Sequence, residues 1–420
     1  MLLIDIPLNV FSKAATFGAI LAGSALPLPA LILYSGDNSA NQTAPANGAP
    51  FEQVGSYCNT SPTANASGSV VHLRGKYVLT VDHVQARSNV TFDGEAFHTV
   101  DKAFAKIQIG SVDLVIIKLV DDPGLDDLPL NTSTSADISS STSTVLVGYG
   151  RGRSTAQTDA GDPVSWTWGG NSTVAKRWGT NRVTGALALS YTNSSETVTW
   201  SYIALTTVLD ADAGDDEAAM AELDSGSALF QFINGVWVLS GLTATVETSG
   251  SSTFDTAQKV GPVTLPSDAD TNYFVRIASY AAEIEAALPD LSTYSGWLTD
   301  NSLSGEDAAS DADPDADGMT NLEEFAYGTN PNFWDAELGP RVSQTDASLV
   351  MDWQQSDTAA GLTYTLEETT DLVGVSFATS SLIPEQVTTE GGVTSWSVTC
   401  TPAAGEQRFL RLVVSSSESL

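Results

Sequence analysis

Ser225 lies in the block A-E-L-D-S-G-S-A-L-F, Ala221 to Phe230. A serine in D-S-G, ahead of small and apolar residues, is the sequence form of a nucleophile on a tight turn. Gly226 frees the backbone beside it, and Asp224 can fix the turn by pairing internally. A serine hydroxyl is a poor nucleophile until a base takes its proton, so the block requires a histidine elsewhere. Three exist: His72, His83 and His98. His83 closes the strand-like run Y-V-L-T-V-D-H-V, Tyr77 to Val84. Between it and the serine, S-V-D-L-V-I-I-K-L, Ser111 to Leu119, sets Asp113 at the head of an apolar strand that would bury it. In chain order these are a general base, a carboxylate to orient it and a nucleophile, the set that acyl transfer needs.

A second group points to a cation. The run from Asp313 to Glu324 fits D-x-D-x-D-G-x5-E at every ligand position. Asp313, Asp315 and Asp317 stand at positions one, three and five, and Gly318 supplies the sharp turn. Met319 would offer its carbonyl, Asn321 sits at nine, and Glu324 at twelve can bind through both oxygens. So many carboxylates repel one another unless a cation offsets them, and calcium prefers such oxygens. The competing reading is an acidic linker with chance spacing.

The three blocks around His83, Asp113 and Ser225 together resemble the chymotrypsin/trypsin family of serine endopeptidases. The motifs of that family run roughly L-T-A-A-H, D-[IL]-A-L-[IL]-[KR]-L and G-D-S-G-[GS]-P, in that order. N-Y-F-V-R-I-A-S-Y-A-A-E-I-E-A-A-L, Asn272 to Leu288, looks like the family's C-terminal helix, so the resemblance covers about residues 51–288. It implies paired six-stranded barrels and an acyl-enzyme on Ser225. His83 would be base and then acid, Asp113 would orient it, and the amides of Leu223 and Ser225 would hold the oxyanion. Leu223 departs from the family, which has glycine there, and that turn strains a branched side chain. Asp82 replaces a small residue before His83, a charge that favours the imidazolium. Val84 stands where the family has a disulfide cysteine. Ala219, six residues before Ser225, would lie near the specificity pocket and offers no charge, whereas the loop bearing Glu217 could supply one. The acidic loop with its following L-E-E-F-A-Y, and no clear helix before it, resembles the calcium half-motif of dockerins and thrombospondin type 3 repeats.

These groups need elements to hold them. The chain has 420 residues, room for two or three domains, and 42% are hydrophobic, ample for packed cores. Its 17 basic against 51 acidic residues give a net charge of −34. That charge argues against nucleic acid or an anionic membrane as partner, since both require positive charge. Residues 1–34 are apolar with one basic residue, Lys13, and read as a signal peptide cut near Ala30. Pro27 and Pro29 interrupt the run before it reaches membrane-spanning length. A secreted, extracellular protein with no membrane span in the mature chain is expected.

Residues 35–50 read as a polar, turn-rich linker. From Phe51, short β-branched or aromatic runs such as S-V-V-H-L, T-V-L-V-G-Y-G and V-W-V-L-S-G-L alternate with Gly, Asn, Ser and Asp, the pattern of an all-β barrel or sandwich. Asp210 to Glu222 forms a dense acidic loop before the serine block, either solvated or attracting basic substrates. Residues 289–335 read as a linker carrying the calcium loop. In residues 336–420, S-L-V-M-D-W, T-S-W-S-V-T-C and Q-R-F-L-R-L-V-V alternate as in a small β-sandwich. That module resembles those appended to secreted bacterial enzymes, and it suits binding, anchoring or contact with a cell surface or matrix. Cys58 and Cys400 lie near opposite ends, and the sequence leaves open whether they pair.

Two functions are compatible with these residues. One is a secreted serine endopeptidase acting on protein or peptide substrates, with structural calcium and no cofactor for catalysis. The other is a non-catalytic homologue on the same scaffold, an exported calcium-stabilised binding or cell-surface protein, which Leu223 favours.

Overall fold

The computed structural model describes residues 31–417 except 140, 160–161, 194–197, 211–212, 247–249, 256–269, 346–347, 391 and 404–405. The leader through residue 30 lies outside the described residues. The chain divides into two compact units, the first ending at Ala287 and the second beginning at Leu288. Both are mostly β. Among the described residues the α-helices are three of seven residues each, Ala281–Ala287, Tyr294–Asp300 and Asn321–Tyr327. None of these helices is long and apolar enough to cross a membrane.

The first unit contains two large sheets. One is antiparallel and runs His98–Thr99, Asn89–Thr91, Val54–Cys58, Gly68–Arg74, Tyr77–Thr80, Val115–Lys118, Ile107–Gln108. It curls on itself. Val100, just past one edge, bridges Leu119, and backbone bonds Asp101 N to Lys118 O (2.9 Å) and Val120 N to Thr99 O (2.8 Å) tie the ends together. The curl is driven by apolar residues on its inner face, Tyr57, Val70, Val78, Val90, Ile117 and Leu119 among them, which leave water together. The second sheet has ten strands. Ala228–Ile233 lies between Thr144–Gly148 and Val236–Val246, over a core that includes Leu146, Leu205, Leu229 and Phe274. Asn234 and Gly235, both at positive φ (53° and 87°), make the two-residue turn between two of these strands, as an N-G pair predicts.

Three boundaries differ from the sequence reading. Ile32 and Leu33, within the 1–34 span but past the expected cut near Ala30, form a buried strand paired with Ala219 and Ala218. Residues 35–50 are not a free linker. Asn41 O accepts from Trp178 N (3.1 Å) and Asn47 O from Trp237 Nε1 (3.1 Å), which lays the segment on the second sheet. The presumed helix from Asn272 to Leu288 begins instead as a strand, Thr271–Arg276, and only Ala281–Ala287 is α-helical. Tyr273, Phe274 and Val275 are aromatic or β-branched and pair with strands on both sides, which outweighs helical continuity.

In the second unit a four-stranded sheet (Arg341–Thr345, Ser348–Ser356, Val393–Cys400, Glu385–Glu390) and a three-stranded one (Ala378–Thr379, Leu362–Thr369, Phe409–Ser416) share a core of Met351, Trp353, Leu366 and Val398. Residues 289–335 belong to this unit and are no bare connection. Tyr294, Trp297 and Phe325 cluster with Leu362, and Met319, Ala326 and Tyr327 with Tyr364 and Leu412. Cys58 and Cys400 are free thiols, each buried within its own unit.

Candidate active site and acidic loop

His83 lies just beyond the strand Tyr77–Thr80, and Asp113 just before its neighbour Val115–Lys118, so the antiparallel pairing sets the two side by side. Asp113 is wholly buried. Its Oδ2 lies 2.7 Å from His83 Nδ1, and its Oδ1 accepts from the His83 backbone N at 3.1 Å. One carboxylate thus holds both the ring and the backbone of the histidine. The other ring nitrogen, Nε2, lies 2.8 Å from Ser225 Oγ. With Nδ1–H directed at the carboxylate, Nε2 is left to accept the serine proton. Trp200, also buried, packs edge-on to the imidazole, with ring centroids 6.4 Å apart.

Ser225 comes from the second sheet and is locked to the first. Its carbonyl accepts from Ser69 N (2.8 Å), and Gly226 N donates to Thr243 O (2.8 Å). Gly226 has φ +84°, and a Cβ there would collide with the Ser69 carbonyl oxygen and lie 2.6 Å from Thr80 Oγ1. Both the backbone conformation and the close approach of the two sheets therefore require glycine. Asp224 fixes the turn from inside. Wholly buried, it accepts from Ala221 N at 2.9 Å, while Ser227 Oγ donates to Ser69 Oγ at 2.9 Å. Burial pushes the Asp224 carboxyl up to about 7, opposed by the Ala221 amide and the charge of Arg177. Arg177 is itself wholly buried and is pushed down to about 8 by desolvation, with Asp224 opposing.

Leu223 adopts φ +75°, the left-handed conformation that glycine normally occupies. The strain anticipated from its side chain is present, and the turn is formed regardless. Asp224 N donates to Ala221 O (3.2 Å), whereas the Leu223 and Ser225 amides on either side donate to no acceptor among the described residues. Two unengaged amides flanking a nucleophilic hydroxyl can take a developing oxyanion.

The remaining pocket and base-side residues depart from expectation in part. The Asp82 carboxylate, expected to act on His83, is paired with Lys106 Nζ, which offsets its charge. Ala219 is buried in its pairing with Ile32. Glu217 is no exposed anion: burial pushes its carboxyl up to about 8, so it is largely protonated at neutral pH. His72 and His98 are engaged elsewhere: His72 is buried, bonded to Gln53 Oε1 (2.9 Å) and Gly75 O (2.8 Å), and the His98 ring lies tilted against Phe92, with centroids 5.8 Å apart.

The acidic loop gathers most of its expected ligands. Oxygens of Asp313, Asp315 and Asp317 lie within 4.8 Å of one another. Asp313 accepts from Asp317 N (3.2 Å) and Gly318 N (3.0 Å), and Gly318 turns with φ +98°. Thr320 caps the following helix, with Glu323 completing the capping box, and Gly328 closes it in the left-handed conformation. This helix buries Glu324 completely, with both carboxylate oxygens unpartnered. A buried, unpaired carboxylate within 4.8 Å of the Asp317 carboxylate fits a hard cation with oxygen ligands. The Met319 side chain is taken up by the core. The amide nitrogen of Asn321 donates to Asp307 O (2.7 Å) and Ala309 O (2.8 Å), tethering the preceding turn, while its Oδ1, the atom expected to ligate, is buried without a donor.

No protein-family model matches the chain, and a search of curated proteins finds no match.

Proposed function

We propose that the chain is a secreted serine endopeptidase whose first unit is a two-barrel, chymotrypsin-like domain. The observation that supports this reading most is the continuous path from the buried Asp113 carboxylate through both nitrogens of His83 to Ser225 Oγ. Ser225 Oγ attacks the scissile carbonyl carbon as His83 Nε2 takes its proton, and the carbonyl oxygen, now negative, turns to the Leu223 and Ser225 amides. Asp113 stabilises the imidazolium. His83 then gives the proton to the leaving amine as the C–N bond breaks, leaving an ester on Ser225. Water, deprotonated by the same imidazole, hydrolyses that ester and restores the serine. Asp313, Asp315, Asp317 and Glu324 would hold a structural calcium ion, which supplies charge neutralisation to the second unit and takes no part in peptide hydrolysis.

A fluorophosphonate probe tests the reading. Wild type is expected to be labelled on Ser225, and Ser225→Ala to lose both labelling and proteolysis while keeping its circular dichroism spectrum. Labelling that persists in Ser225→Ala would place the nucleophile elsewhere and overturn the triad assignment; a wild type that never reacts would leave the non-catalytic scaffold as the better description.

A further inference from the structure

We infer that Asp335, outside the D-x-D-x-D-G-x5-E run, is a further ligand of a single divalent cation held by the acidic loop. The inference rests on reading that loop as a cation site. Carboxylate oxygens of Asp317, Glu324 and Asp335 lie within 4.8 Å of one another, and Asp317 also belongs to the cluster with Asp313 and Asp315. Asp317 is therefore common to both groups. Three buried oxygens in these groups lack any hydrogen-bond donor besides the second oxygen of Glu324: Asp315 Oδ2, Asp335 Oδ1 and Glu324 Oε1. Buried carboxylate oxygens without donors are costly, and a hard cation is the partner that satisfies several at once.

The backbone holds Asp335 in place for this role. Its Oδ2 accepts from Asn330 N at 3.1 Å, which closes the turn Asn330–Asp335, and its own N donates to Asp317 Oδ2 at 3.2 Å. One oxygen of Asp335 thus forms the turn while the other, Oδ1, is buried without a donor. The nitrogen of Asn321, the ninth position of the run, is committed to carbonyls of the Asp307–Ala309 turn, and its Oδ1 is likewise buried without a donor. Asp335 brings a full negative charge where the run itself offers a neutral amide. A site with five carboxylates favours a divalent or trivalent cation of calcium's size over magnesium, which demands fewer protein ligands and keeps its water.

Terbium serves as the probe, because Trp334 adjoins Asp335 in the chain and an indole that close sensitises lanthanide emission. Titration of the full chain with terbium, and displacement by calcium, is expected to give one site per chain. Asp335→Asn is expected to weaken calcium roughly tenfold or more, as loss of a charged ligand does. Asn321→Ala should weaken it less. Far-ultraviolet circular dichroism and calorimetric titration of the same variants check that each folds and that affinity, not emission geometry, has changed. Unchanged calcium affinity in Asp335→Asn, with wild-type binding intact and Asp315→Asn defective, overturns the role of Asp335 alone. Failure of wild type to bind either ion overturns the loop reading as well.

Discussion

Leu223 concentrates the conflict between chemistry and backbone at the scale of one residue. Its amide and that of Ser225 are free to donate, which acyl transfer needs, but its φ of +75° is one that L-residues with side chains adopt at a cost of about 1–2 kcal/mol. Leu223→Gly keeps the amide and removes the strain. The expected outcome is a gain of about 1 kcal/mol in unfolding free energy, measured by urea titration, with probe labelling at Ser225 undiminished. If Leu223→Gly is instead less stable than wild type, the side chain contributes packing that outweighs the conformational cost.

At the scale of elements, the site depends on two sheets meeting at Ser69 and Gly226. Ser69 N binds the Ser225 carbonyl, Ser69 Oγ accepts from Ser227 Oγ and Tyr149 N, and the Gly226 backbone is pressed against the Ser69 carbonyl. A methyl group at Gly226 meets rigid backbone, so relief requires the sheets to part. Gly226→Ala is expected to lower the unfolding free energy by about 2–4 kcal/mol, combining left-handed strain with overpacking, and to slow labelling of Ser225. Gly235→Ala is the matched comparison. It has nearly the same φ (+87°) and nothing within 4 Å of the added carbon, so only about 1 kcal/mol should be lost. Equal losses in the two variants would show that the close approach of the sheets is not what demands glycine at Gly226.

At the scale of the whole molecule, the large negative charge is accompanied by carboxyls that burial keeps protonated. Glu217 has an ordinary value of 4.5 and is pushed up to about 8 by desolvation; the Asp210 backbone bond and the Arg182 charge oppose this, and the Asp210 charge adds to it. Its folded proton affinity exceeds its unfolded one. The stability it contributes is therefore fully present below about pH 4.5 and is lost as pH rises through about 8. Each tenfold difference in proton affinity corresponds to about 1.4 kcal/mol. Glu217→Gln, neutral at every pH, should match wild type at pH 5 and exceed it by more than about 1.4 kcal/mol at pH 9. Thermal unfolding at both values checks this; an identical difference at pH 5 and pH 9 would mean that Glu217 titrates as an ordinary surface carboxyl.

Much was legible because it is local. D-S-G announces a turn and D-x-D-x-D-G a ring of oxygens, since in each the partners lie within a few residues. The order His83, Asp113, Ser225 was readable from three short blocks, and the structure brings those side chains to hydrogen-bond distance. Other features were decided by tertiary structure alone. Ile32 and Leu33 read as leader because they are apolar, yet their partners, Ala219 and Ala218, lie far along the chain. Tyr273 to Val275 carry a helix-compatible surrounding sequence but form a strand because two neighbouring strands offer hydrogen bonds. The buried Arg177 beside Asp224, and Asp335 beside Glu324, occupy no motif position. A sequence pattern reports the period of one element and the geometry of one turn. Which distant surfaces that element buries depends on how the sheets curl and close, and that placed the counter-charge of Asp224, the glycine-only contact at Ser69 and the further carboxylate at the acidic loop.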